Sequence, residues 1–80
     1  MNMKSKEARA FYTAEINRAT TINELVWIDT EYKPNTKLAC DDLLALCRMS
    51  EAKKRSLKEA GQKYTRATKP AWRQKKGERT

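Results

Sequence analysis

The large apolar residues of this 80-residue chain lie mostly before residue 48, and basic residues dominate the stretch that follows. Residues 48–80 hold twelve bases and three acids, a balance of +9, whereas residues 1–47 hold six bases and seven acids, a balance of −1. A core can form only where apolar side chains are available. The pattern therefore predicts a helical headpiece at residues 1–61 and a basic C-terminal arm at residues 62–80, partly disordered because it has little to bury.

Apolar residues recur at three- and four-residue steps in three segments, which is the spacing of one helix face. The pattern predicts helices at about residues 5–19, 21–32 and 36–60. On the first helix the polar positions Arg9, Glu15 and Arg18 are expected to face solvent. The apolar positions that define the three stripes are Ala8, Phe11, Tyr12, Ile16, Ala19, Ile22, Leu25, Val26, Ile28, Leu38, Leu43, Leu44, Leu46, Cys47 and Leu57.

Small polar residues mark where these helices begin. Ser5 and Thr36 are predicted N-caps of the first and third helices, because their hydroxyls can accept a hydrogen bond from a first-turn amide. Thr21 and Glu24 have the spacing of a capping box at the second helix. Gly61 is a candidate C′ residue for the third helix, since glycine readily adopts the left-handed conformation found there.

These elements predict an all-α fold, a small bundle of three helices with a basic C-terminal arm. A four-helix bundle stays open, because Ser50 can cap a short fourth helix, and so does a helical hairpin. Residues 25–28 form an unbroken apolar run with β-branched members, so a strand is the alternative there. A chain of this length buries only a modest core.

The residue types needed for catalysis or metal binding are scarce. There is no histidine. The carboxylates of Asp41 and Asp42 stand about 100° apart on a helix and do not converge. Cys40 and Cys47 lie about 10 Å apart along a helix, too far for a disulfide, and we expect both to be small buried residues in a reducing cytoplasm. We therefore expect no enzymatic activity, no cofactor and no metal site.

The N-terminal twelve residues contain no apolar run, and no window approaches the ~20 apolar residues of a membrane span. We expect a cytoplasmic protein without a signal peptide or membrane contact. The net charge of +8 instead indicates a polyanionic partner.

Nucleic acid is the first candidate for that partner. Bases neutralise backbone phosphates and release counterions, and an aromatic residue among them can stack on an unpaired base. Tyr64 and Trp72 are the two stacking candidates. The predicted phosphate-contacting residues are Lys53, Lys54, Arg55, Lys58, Lys63, Arg66, Lys69, Arg73, Lys75 and Lys76.

The alternative is an adaptor or inhibitor that binds a host protein with an acidic surface. Trp27, Leu44 and Met49 are the candidate interface residues, because large apolar side chains are common interface anchors. A homodimer that buries Leu44, Leu46 and Met49 fits either function, since the chain is short of core. Size, charge and the scarcity of catalytic residues indicate a small accessory or regulatory protein of a phage or mobile element.

Part of the chain follows the pattern of a known family. The residues that carry it are Tyr12, Ile16, Arg18, Thr21, Ile22, Leu25 and Ile28, followed by residues 43–57 without a gap. Over this stretch the chain resembles the Hha/YmoA family of small helical nucleoid modulators, whose members bind the H-NS dimerisation region. The resemblance implies a protein partner, a buried acid at Glu51 and a basic surface position near Lys53. The basic stretch after Gly61 departs from the family.

Overall fold

The computed structural model describes residues 4–73, which form three α-helices around one core. Helix α1 spans Ser5–Arg18, α2 spans Ile22–Tyr32 and α3 spans Cys40–Glu59, and one 3-10 turn follows at Ala71–Arg73. Each α-helix packs against both others, and residues 4–73 contain no strand. The predicted all-α three-helix fold is confirmed, and the strand alternative is wrong. No helix in the described residues is long and apolar enough to cross a membrane.

The start of α2 follows the predicted capping pattern. Thr21 is the N-cap, and its hydroxyl accepts a hydrogen bond of 3.1 Å from the Glu24 amide. The Glu24 carboxylate reaches one residue further back than a capping box requires and accepts from the Thr20 amide at 2.9 Å. The Thr21 hydroxyl thereby satisfies a first-turn amide that the helix itself leaves unpaired, and Glu24 satisfies the amide of the residue before the cap.

Helix α3 runs without a break through Ser50, so the described residues contain no fourth α-helix. It ends at Glu59, and Gly61 is the predicted C′ residue, with φ +103°. The Gly61 amide donates to the Lys58 carbonyl at 3.0 Å, and the Gln62 amide donates to the Leu57 carbonyl at 3.1 Å. This pair of bonds is a Schellman motif, which closes the helix and turns the chain back.

The start of α3 corrects two predictions. The helix begins at Cys40 rather than near Thr36, which is exposed and caps nothing. Ser5 is not the N-cap of α1 but its first residue. Its hydroxyl accepts a hydrogen bond of 2.7 Å from the Ala39 amide and donates to Asp42, so a residue of α1 closes the first turn of α3.

The core lies between the three helices. Its fully buried large side chains are Ile16, Leu25, Ile28, Tyr32 and Leu46. Two polar residues lie beside them, Asp29 on α2 and Ser50 on α3, and the Ser50 hydroxyl donates to the Asp29 carboxylate at 2.8 Å. Buried polar groups are tolerated only when they are hydrogen-bonded, and this pair fixes the register between α2 and α3.

Candidate functional site

The basic residues predicted to bind a polyanion separate into two sets in the structure. The first set, called here the paired bases, consists of Lys53, Lys54 and Arg73, which bond to other parts of the fold. The second set, the exposed bases, consists of Arg55, Lys58, Lys63 and Arg66, whose side chains face solvent. Within residues 4–73, none of the exposed bases forms a hydrogen bond or ion pair with an acid.

Lys53 closes the end of α1. Its ammonium group donates to the carbonyls of Ile16 at 2.9 Å and Asn17 at 2.7 Å. These carbonyls belong to the last turn of α1, where the unpaired oxygens carry the negative end of the helix dipole. Burial lowers the pKa of the Lys53 ammonium group, an effect that the charge of Glu24 only partly offsets.

Lys54 is the ionic partner of the buried acid on α2. Its ammonium group donates to Asp29 and, at 3.3 Å, to Glu51. The side chains of Lys54 and Asp29 are 18% and 7% exposed. Burial alone would lower the pKa of Lys54, but the hydrogen bond and charge of Asp29, together with Glu51, outweigh it and raise the pKa above its usual value.

Arg73 and Trp72 are bound to two acids. The Trp72 indole N–H lies 2.9 Å from both carboxylate oxygens of Glu15, and Arg73 donates to Glu15 and to Glu31. The Arg73 guanidinium also lies 5.2 Å from the ring centre of Phe11. Glu15 is therefore buried, 5% exposed, and the prediction that it faces solvent is wrong.

Residues 62–73, called here the C-terminal strap, lie against α1 and α2. The Gln62 side chain accepts from the Ile22 amide at 3.1 Å and donates to the Thr20 carbonyl at 2.9 Å. The Asn23 side chain accepts from the Thr65 amide at 3.0 Å. Further along, Pro70 is fully buried. Of the residues assigned to a basic arm, 62–73 therefore bond to the headpiece, while Lys75 and Lys76 lie outside the described residues.

Two of the exposed bases, Arg55 and Lys58, line a groove between α2, α3 and the strap, called here the basic groove. It has a volume of about 320 Å³. Tyr64 forms one wall and is 52% exposed. The residues that line the basic groove are Ile22, Val26, Glu51, Lys54, Arg55, Lys58 and Tyr64. Lys63 and Arg66 flank Tyr64 in sequence, and Lys69 is partly buried.

The candidate protein-interface residues are scattered. Leu44 is 50% exposed on α3, whereas Trp27 and Met49 are partly buried against the core. The guanidinium of Arg73 lies 5.4 Å from the Trp27 ring centre. Leu46 is fully buried within the chain, so it is unavailable to the proposed dimer interface.

Two further expectations fail. Cys40 is exposed, although Cys47 is partly buried as a core neighbour, and both are free thiols. Glu51, which the family resemblance places in the interior, is 65% exposed. The buried carboxylates are instead Glu15 and Asp29. Across residues 4–73, no group of three histidine, cysteine or acidic residues is arranged to hold a metal ion.

Sequence reasoning missed the acids that receive the paired bases, although a signal was present. Glu15 directly precedes Ile16 and lies within the apolar stripe of α1, three residues after Tyr12. An acid inside an apolar stripe indicates a buried ion pair. Asp29 follows Ile28 in the same way.

The described fold is that of a small three-helix bundle with a C-terminal strap. No protein-family model, no curated protein and no solved structure matches the chain.

Proposed function

We propose that the chain is a non-enzymatic nucleic-acid-binding protein that contacts backbone phosphates through its exposed bases. The observation that supports this most directly is the basic groove. Arg55 and Lys58 line it, their side chains face solvent, and neither is engaged by an acid within residues 4–73. Such unpaired cations can each take the place of a counterion on a phosphate.

The paired bases contribute little free charge to this surface. Lys53 and Arg73 have their donors directed at carbonyls and carboxylates of the fold. Lys54 lines the basic groove, but its charge is offset by Asp29 and Glu51. The interface is therefore smaller than the charge count of the sequence indicates, and it is centred on the last turns of α3 and the first residues of the strap.

Salt dependence tests this proposal. Each lost phosphate contact lowers the slope of log K against log salt concentration by about 0.9 on duplex DNA and about 0.7 on single strands. The double variant Arg55→Ala/Lys58→Ala is therefore expected to flatten the slope by about 1.4 to 1.8. Fluorescence anisotropy with labelled DNA and RNA across a salt series measures it.

A matched control is available at the other end of α3. Lys33 and Lys37 are exposed bases in the connection between α2 and α3. The variant Lys33→Ala/Lys37→Ala removes the same charge near the start of α3, and Cys40 at that start is about 22 Å from Arg55 at a rise of 1.5 Å per residue. It should leave the slope nearly unchanged. Equal slopes for the two double variants would place the contact elsewhere, and an absence of binding at low salt would refute the proposal.

A second candidate, an acidic protein partner, is favoured by the outer face of α3. Leu44, Arg48 and Arg55 recur there at spacings of four and seven residues, so they share one face, and all three are exposed. An apolar side chain beside two bases suits a protein interface. This candidate becomes the better one if nucleic acid fails to bind and an acidic partner depends on Leu44.

A further inference from the structure

We infer that the basic groove is a pocket for an unpaired nucleobase, so that the protein selects single-stranded over double-stranded nucleic acid. This inference rests on the proposed function and specifies its ligand. The base would stack on Tyr64 over an apolar floor made by Ile22 and Val26, while Arg55 and Lys58 meet the adjoining phosphates.

The size and lining of the basic groove suit a base. Its volume of about 320 Å³ is at the lower end of the range for small-molecule sites, roughly 300–1,000 Å³. A base within a duplex is stacked on both faces and reaches such a site only if it is flipped out, which costs a few kcal/mol. An unpaired base avoids this cost.

Charge complementarity selects a nucleotide over a neutral ring. Arg55 and Lys58 lie at the edge of the basic groove and are exposed. The one acid that lines it, Glu51, lies 3.3 Å from the Lys54 ammonium group, which reduces its repulsion of an anion. A planar group that carries phosphates matches a groove lined by an aromatic ring and two exposed cations.

Tyr64 is held in place for stacking without being covered. Gln62, two residues before Tyr64, and Thr65, the residue after it, are fixed to α2: Gln62 bonds to the Ile22 amide and Thr65 bonds to Asn23 at 3.0 Å. Half of the Tyr64 side chain nevertheless remains exposed. A backbone that is fixed before binding loses less conformational entropy on contact, which favours the stacked state.

Trp72, the other stacking candidate, is less accessible to a base than Tyr64. Its indole N–H is bonded to Glu15, and the guanidinium of Arg18 lies 4.8 Å from its ring centre. A base would have to displace the Arg18 cation from the Trp72 ring. The structure therefore favours Tyr64 as the stacking residue.

The test compares Tyr64→Ala and Tyr64→Phe for binding to labelled oligo-dT and to a labelled duplex of the same length. Removal of one base stack is expected to weaken oligo-dT binding about 5- to 150-fold. Tyr64→Phe keeps the aromatic face and should stay within about twofold of the original protein. Duplex binding should be weaker than oligo-dT binding from the start and should change little in either variant.

The outcomes separate this inference from the proposed function. The base pocket is refuted if Tyr64→Ala weakens duplex and oligo-dT binding by the same factor, or if it weakens neither of them. Phosphate binding, the proposed function, stands in both cases. If the unaltered protein binds neither nucleic acid, both proposals fail. Binding of poly-glutamate that depends on Tyr64 as strongly as oligo-dT binding does would instead identify an acidic-peptide site and overturn the inference. Circular dichroism of both variants confirms that the helices are intact.

Discussion

Lys54 and Arg55 are neighbours on α3 and carry the same charge, yet one is bonded within the fold and the other faces solvent. Lys54 points toward α2 and bonds to the buried Asp29, whereas Arg55 points to solvent and borders the basic groove. One residue step turns a side chain by about 100° around a helix, which is enough to exchange the interior for the surface. Charge in this chain therefore stabilises the fold at some positions and remains available to a ligand at others.

The same contrast separates the two aromatic residues of the strap. Trp72 is tied to Glu15, and Tyr64 is half exposed between two fixed neighbours. In a chain with few large apolar residues, the strap adds buried Pro70 and partly buried Trp72 to the packing around the helices. We infer that the end of the strap stabilises the headpiece and that its beginning supplies the binding surface.

The largest expected effect is the difference in the free energy of unfolding between variants of Lys54 and Arg55. Lys54→Met leaves the buried Asp29 carboxylate without its cation and should lower the free energy of unfolding by about 3 kcal/mol. Arg55→Met removes the same charge at an exposed site and should stay within about 0.5 kcal/mol of the original protein. Urea denaturation followed by circular dichroism measures both. Equal losses in the two variants would mean that the Lys54–Asp29 pair does not stabilise the fold.

A smaller loss is expected where the strap meets α1. Arg73→Met removes the guanidinium that donates to the buried Glu15 and should cost about 2 kcal/mol, because a charge-assisted hydrogen bond is lost. The exposed Arg66, in the same strap, provides the control variant Arg66→Met, which should be nearly neutral.

Hydrogen exchange locates the effect of Arg73→Met. The amides of Thr65 and Thr68 bond to Asn23 at 3.0 and 3.1 Å, so they report whether the strap is seated. Their protection should fall in Arg73→Met and persist in Arg66→Met. If protection is unchanged in Arg73→Met, the contacts of Gln62 and Asn23 alone hold the strap, and the ion pairs at its end are not required.

The sequence predicted what depends on neighbouring residues. Apolar periodicity, the Thr21 cap and the Gly61 terminus are local signals that match the structure, although the local cap predictions at Ser5 and Thr36 are wrong. The bonds that were missed join distant residues. Ser5 meets Ala39 across 34 positions, and Arg73 meets Glu15 across 58. No local pattern specifies which base reaches which acid, so the division into paired and exposed bases required the packed helices.

The exposed groove was anticipated only in part. Arg55, Lys58 and Tyr64 were predicted as ligand contacts because bases and an aromatic recur in that stretch. Ile22 and Val26 were assigned to the core stripe of α2, since nothing in the sequence indicates that the strap leaves a gap beside them. The floor of the proposed pocket therefore follows from the path of the strap, which the Schellman motif at Gly61 sets.

The smallest expected effect is on the pH dependence of stability, and it compares two neighbouring acids on α3. Asp41 and Asp42 are also neighbours, and only Asp42 is engaged: it accepts from Ser5 and pairs with Arg9 at 3.2 Å, while Asp41 is exposed. The hydrogen bond from Ser5 is the main cause that lowers the pKa of Asp42, with Arg9 contributing further. Because this pKa is lower in the folded than in the unfolded chain, the ionised carboxylate stabilises the fold above its ordinary pKa of about 4. That contribution is lost as the pH falls through the lower pKa of the folded state.

Asp42→Asn should therefore flatten the decline in unfolding free energy below about pH 4, and Asp41→Asn should not. Urea denaturation across acidic pH measures the difference, and identical acid profiles for the two variants would show that the Ser5–Asp42 contact is not coupled to folding.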